Sequence, residues 1–126
     1  MDTLITVIQV VLALAFTAGG LLRLTLPYAK YTQLPGQGWA NDFKPEHIRL
    51  IGVIEVSGGV GLVVPLFLHS LTMLTPLAAV GIALVMSGAM ATHLRRSEYW
   101  NMVGNLIFFL GPALFVAYGK LLGLAA

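Results

Sequence analysis

The chain has 126 residues, 58% hydrophobic and 10% charged, with a mean hydropathy of +0.89. Soluble domains carry roughly 25% charged residues, so the surface of this one cannot be mainly aqueous and the composition specifies one integral membrane domain. A net charge of +2 without clustered Lys and Arg excludes nucleic acid as a partner, and the absence of cysteine excludes disulfides, paired-thiol redox chemistry and thiolate metal sites.

Four apolar segments follow in chain order, each near the ~20 residues needed to cross ~30 Å of hydrocarbon. The first, residues 3–26, ends at Pro27. Its start, MDTLITVIQ, lacks the basic region of a secretory signal, and the apolar run is too long for a cleaved one, so it reads as a retained span. The stretch PYAKYTQLPGQGWANDFKPEH comes next, with Tyr28, Tyr31, Trp39 and Phe43 as interface-seeking aromatics. It is expected to lie along the membrane surface or to cap the bundle, with room for a short helix. The second span covers residues 46–68, the third residues 70–93 after a tight turn at His69-Ser70, and the fourth residues 98–122 after Arg95-Arg96-Ser97. All four must be helices, because lipid offers the backbone no hydrogen bonds and no period-two pattern suggests a barrel. The short joins make neighbours antiparallel. The expected fold is an all-α membrane protein, an antiparallel four-transmembrane-helix bundle with a longer interfacial loop between helices 1 and 2. Arg23, Lys30, Lys44, Arg49, Arg95 and Arg96 gather at one end and Lys120 stands at the other, which puts both loops in the cytoplasm and both termini on the non-cytoplasmic side.

The polar residues inside the spans carry the functional information. Glu55, in IGVIEVSGGVGL, lies about 13 Å into the bilayer at 1.5 Å per residue. An ionised carboxylate there costs roughly 2.5–3.5 kcal/mol, so it must face protein or water, protonated or paired. Gly52, Gly58 and Gly59 surround it on the same helix and are candidate packing positions, where small residues let a neighbouring backbone approach. Arg23, Ser87, His93, Asn101 and Asn105 fall in the same half of the membrane, the two asparagines sharing a face at i, i+4. Together with Glu55 they define a one-sided polar pocket opening toward the long loop. SGGVG lacks the lysine and hydroxyl of a phosphate loop. The three histidines have no convergent spacing, so no metal and no cofactor is expected.

Several motifs in this order resemble the DoxX-like family: Thr17-Ala18-Gly19-Gly20-Leu21-Leu22-Arg23-Leu24, Ile51-Gly52-Val53-Ile54-Glu55 with its following glycines, Thr75-Pro76-Leu77-Ala78-Ala79, and Met86-Ser87-Gly88-Ala89-Met90-Ala91-Thr92-His93-Leu94-Arg95-Arg96. The resemblance covers nearly the whole chain and implies a small four-helix membrane protein, in the setting of a bacterial inner membrane. Where the family often has a lysine after the glycine, this sequence has Arg23, with Lys30 further on, and either base is a candidate partner for Glu55. The wider group looks like accessory subunits of quinone-linked oxidoreductases or assembly factors for membrane proteins. Small multidrug transporters are also four-helix proteins with one embedded glutamate, but theirs lies in the first helix.

Three functions are consistent with these residues. The first is a binding, accessory or assembly protein that docks membrane-protein partners or a second copy, as a homodimer, through its glycine faces. The second is a membrane-embedded enzyme or binder of a lipid-soluble molecule (a quinone, a lipid or an isoprenoid) with Glu55 and His93 handling protons. The third is proton-coupled transport, which the apolar far half disfavours. Membrane lipids are partners in every case.

Overall fold

The computed structural model describes residues 2–123. Four segments are long and apolar enough to cross a membrane: α1 (Asp2–Thr25), α3 (Pro45–Phe67), α4 (Leu74–Arg95) and the span Tyr99–Leu121. No strand occurs among the described residues. Between α1 and α3 lie a four-residue helix, α2 (Tyr28–Tyr31), and a 3-10 turn over Gly38–Asp42. The third span begins at Leu74, not at residue 70, after a 3-10 turn over His69–Leu71. Pro76 accounts for the delay. It has no N–H, and its ring crowds the carbonyl four residues back, so it is accommodated only in a first turn.

The spans pack in a ring in which α1 meets α3, α3 meets α4, α4 meets the fourth span and the fourth span returns to α1. The α1–α3 contact is the most extensive, and glycine makes it so. A Cβ on Gly20 would stand 2.6 Å from the carbonyl oxygen of Gly52, and one on Gly52 would stand 2.9 Å from that of Gly20. Gly59 faces Ala13 and Thr17 of α1 in the same way. Gly58 instead faces Ile82 on α4, at 3.0 Å. The glycines expected to dock a second copy are therefore filled within the chain. In lipid, van der Waals contact between close backbones is the main force between helices, so small residues on facing sides are what the seam requires.

The far half of the bundle packs around an apolar core, and a smaller cavity of about 320 Å³ opens between α3 and α4 beside Gly58, Leu77 and Ile82. Phe16, Leu62, Ile82 and Val116 belong to that core, which all four spans supply. One polar knot is buried there. Gln9 Nε2 donates to the carbonyl of Leu62 and to Thr75 Oγ1 (3.3 Å), and Thr75 Oγ1 donates to the same carbonyl (3.2 Å). Pro65 lies within α3 next to this turn; a proline inside a helix loosens the ladder around it.

The fourth span is not uniform. It runs as α5 (Tyr99–Asn105), a π turn over Leu106–Leu110, and α6 (Gly111–Leu121). Pro112 cannot donate to the carbonyl of Phe108 and would clash with it, and the chain relieves this by shifting to an i→i+5 bond from Gly111 N–H to Leu106 O. The two halves pack differently as a result. α6 touches both α4 and α1, whereas α5 leans on α4 and barely meets α1.

Candidate ligand cavity

The gap left between α1 and α5 belongs to a cavity of about 870 Å³ in the loop-side half of the bundle, lined by all four spans and the loop. Phe16 and Phe109 form its floor, their rings edge to face at 5.5 Å. Ala15 and Phe108, both exposed, stand where it opens sideways toward lipid.

Five of the six residues expected at a polar pocket line this one space: Arg23, Glu55, His93, Asn101 and Asn105. Ser87 does not. It sits on the outer face of α4 and its hydroxyl donates to Ala83 O at 2.8 Å within its own helix, while Met86, the preceding residue, turns inward. The asparagines share a face as expected but do not tie helices together, since Asn105 Nδ2 donates to Asn101 O at 3.2 Å within α5. Arg23, and not Lys30, takes Glu55. Its Nη1 donates to Glu55 Oε2 in an ion pair whose side chains are 15% and 4% exposed. Small Gly19 beside them leaves the room: a Cβ there would be 3.3 Å from Arg23 Nη1 and 3.6 Å from Glu55 Oε2.

The loop forms a lid over this pair. The Arg23 guanidinium lies 5.4 Å from the ring centre of Tyr31 and 5.6 Å from that of Trp39, within cation–π range of both. Gln37 Oε1 accepts from Tyr31 O–H (2.8 Å) and Trp39 N–H (2.9 Å), which fixes the two rings. Burial pushes the Tyr31 hydroxyl above its usual range, with Arg23 opposing. A small core of Tyr31, Ala40 and Ile48 seats the lid on α3.

A second latch joins the lid to α4. Arg96 Nη1 donates to Asp42 Oδ1 (3.0 Å), and its Nε donates to Glu98 Oε1 (3.1 Å). The same Glu98 oxygen is 2.9 Å from His93 Nδ1. Ser97, the residue between, has φ 58°, a left-handed conformation that non-glycine residues adopt at a cost. That turn brings Glu98 back over the end of α4, where its N–H donates to His93 O at 2.8 Å. Its side chain does not cap α5. The hydrogen bond from His93 holds the Glu98 carboxyl below the ordinary carboxylate range. Glu98 and Asp42 were not legible as partners of His93 and Arg96, because the first contact runs across a turn and the second joins residues 54 apart. Of Arg95-Arg96, read from sequence as a topology signal, Arg96 serves the lid as well.

Four spans long and apolar enough to cross a membrane, packed as a helical bundle, define a polytopic integral membrane protein. Residues 7–117 match the DoxX-like family, which is most of the chain, and the chain belongs to that family. Comparison with curated proteins and with solved structures finds no match.

Proposed function

We propose that this protein binds a lipid-soluble small molecule, of the quinone, lipid or isoprenoid class, that enters from the bilayer between α1 and α5. The observation that carries this reading is the cavity. Its volume falls in the ~300–1,000 Å³ range of small-molecule sites, its walls are mainly apolar, and its few polar groups converge at one end. A head group would sit under Trp39 beside the Arg23–Glu55 pair and His93, and a tail would run past Phe108 into lipid. An assembly or accessory role has less support, because the glycine faces it would offer to a membrane-protein partner or a homodimer are filled within the chain. Transport is opposed by the floor of Phe16 and Phe109 and by the apolar core beyond. The basic residues at the loop end favour both termini on the non-cytoplasmic side, and the family resemblance implies a bacterial inner membrane setting.

Native mass spectrometry of gently solubilised protein tests the reading. Gly104 lines the cavity, and a Cβ there meets nothing within 4 Å, so Gly104→Phe should fill the space without unfolding the chain. A small molecule retained by the wild type and lost from Gly104→Phe is the expected result. Equal retention by both proteins would place any bound lipid outside the cavity and sink the proposal.

A further inference from the structure

The charges around the cavity do not balance. Its ionisable lining residues are Arg23, Glu55, His93 and Arg95. Glu55 is the only carboxylate among them, and Arg23 engages it. His93 has its Nδ1 turned to Glu98, outside the lining, and among the described residues its Nε2 makes no hydrogen bond. Arg95, in the last turn of α4, takes part in no ion pair or side-chain hydrogen bond among the described residues. The Asn101 side chain, one turn into α5, is likewise unbonded. Glu55, Glu98 and Asp42 are thus each held by a base, and what the cavity lining leaves open to a ligand is a guanidinium, an amide and a ring nitrogen.

Resting on the proposed ligand cavity, we infer that the ligand's head is an anionic oxyacid, a carboxylate or a phosphate, carried on an alkyl chain. Arg95 supplies the charge and a forked donor geometry that fits such a head. Asn101 adds a neutral donor, and His93 adds one when its ring is protonated. Arg95 is exposed at the loop end of α4, so its pairing with such a head has the strength of a charge-assisted hydrogen bond at the interface. A cationic head would meet Arg95 with no free carboxylate to offset it. An uncharged alcohol would leave the guanidinium unmatched.

The test uses full-length protein in phosphatidylcholine nanodiscs, with Trp39 fluorescence read in a Trp100→Phe background. Dodecanoate, dodecanol and dodecyltrimethylammonium serve as probes of equal chain length. Dodecanoate should bind at least tenfold more tightly than dodecanol, the scale of one charge-assisted contact, and the ammonium should be weakest. Arg95→Gln should erase the preference for dodecanoate and leave dodecanol binding unchanged. Arg49→Gln, which removes an exposed charge from α3 outside the cavity, should keep it. Equal binding of dodecanoate and dodecanol would overturn the anionic head while leaving the cavity reading intact. So would an equal loss in Arg49→Gln, since the preference would then come from bulk charge. Binding of none of the three would defeat the cavity reading itself, and the inference with it. Nanodiscs doped with phosphatidylglycerol separate the sources of such a head: displacement of dodecanoate identifies a bilayer phospholipid, and none identifies a free single-chain acid.

Discussion

The α1–α3 seam makes a sharp prediction about two glycines that look alike in the sequence. In Gly20→Ala the new methyl would lie 2.6 Å from Gly52 O, 2.7 Å from Val56 Cγ2 and 2.9 Å from Val56 N. Close C···O contacts settle at about 3.3–3.6 Å, so the seam must open by roughly 0.7 Å or more. Two of the three atoms met are backbone and cannot rotate aside. Overpacking of this kind costs about 1–3 kcal/mol, and exchanging Gly for Ala in a helix returns roughly 0.5–1 kcal/mol. We expect a net loss of about 1–2 kcal/mol, towards the upper end because moving α1 also slackens the contacts at Gly52 and Gly59. In Gly88→Ala the methyl meets nothing within 4 Å, so only the helix term remains and stability should rise by up to about 1 kcal/mol. Reversible unfolding of both variants in mixed micelles reads the difference directly. If Gly20→Ala proved as stable as Gly88→Ala, the close approach of α1 and α3 would be wrong, and with it the account of why these glycines are there.

Three further outcomes follow from the site. Glu55→Leu should cost about 3–5 kcal/mol in the same assay, because it strands the Arg23 guanidinium in a buried position, and Arg23→Met with Glu55→Leu should recover most of that loss; a double variant as unstable as the single one would show that the ion pair is not the reason. Glu98 has a folded-state pKa below its ordinary 4.5, so its contribution is present above that value and is lost as the pH falls through the folded-state value. Hydrogen-exchange protection factors in residues 38–43, corrected for the intrinsic pH dependence of exchange, should therefore fall on acidification below about pH 4.5, and Glu98→Gln should abolish that step; an unchanged step would assign it to another acid. Pro112→Ala restores a helical donor, so the π turn should revert to α-helix and draw α5 toward α1. Spin labels at Ala15 and Phe108, simple to place in a chain without cysteine, should then report a shorter distance than in the wild type, and an equal distance would separate the opening from the π turn.

Much of this molecule could be read from the order of its residues. Apolar runs of membrane-spanning length, joined by short polar turns, leave only helices and only antiparallel neighbours, because lipid satisfies no backbone group. Glu55 could be named as exceptional for the same reason, and periodicity with depth placed Arg23, His93, Asn101 and Asn105 in its half of the membrane. Contacts across space were beyond that reading. Choosing Arg23 over Lys30 as the partner of Glu55 depends on how α1 is rotated against α3, and glycines 20, 52 and 59 set that by letting the backbones touch. Placing Ser87 outside the cavity depends on the rotation of α4, on which one residue's step is a turn of about 100°. The His93–Glu98 contact needs a left-handed Ser97, and the Arg96–Asp42 latch needs the loop folded over the bundle. Composition and hydropathy act along one dimension, and they decided that this chain crosses a membrane four times with an acid inside. Steric fit acts in three, and it alone decided that the acid is already paired, that a cavity lies beside it, and that Arg95 lines that cavity without an ion-pair partner among the described residues.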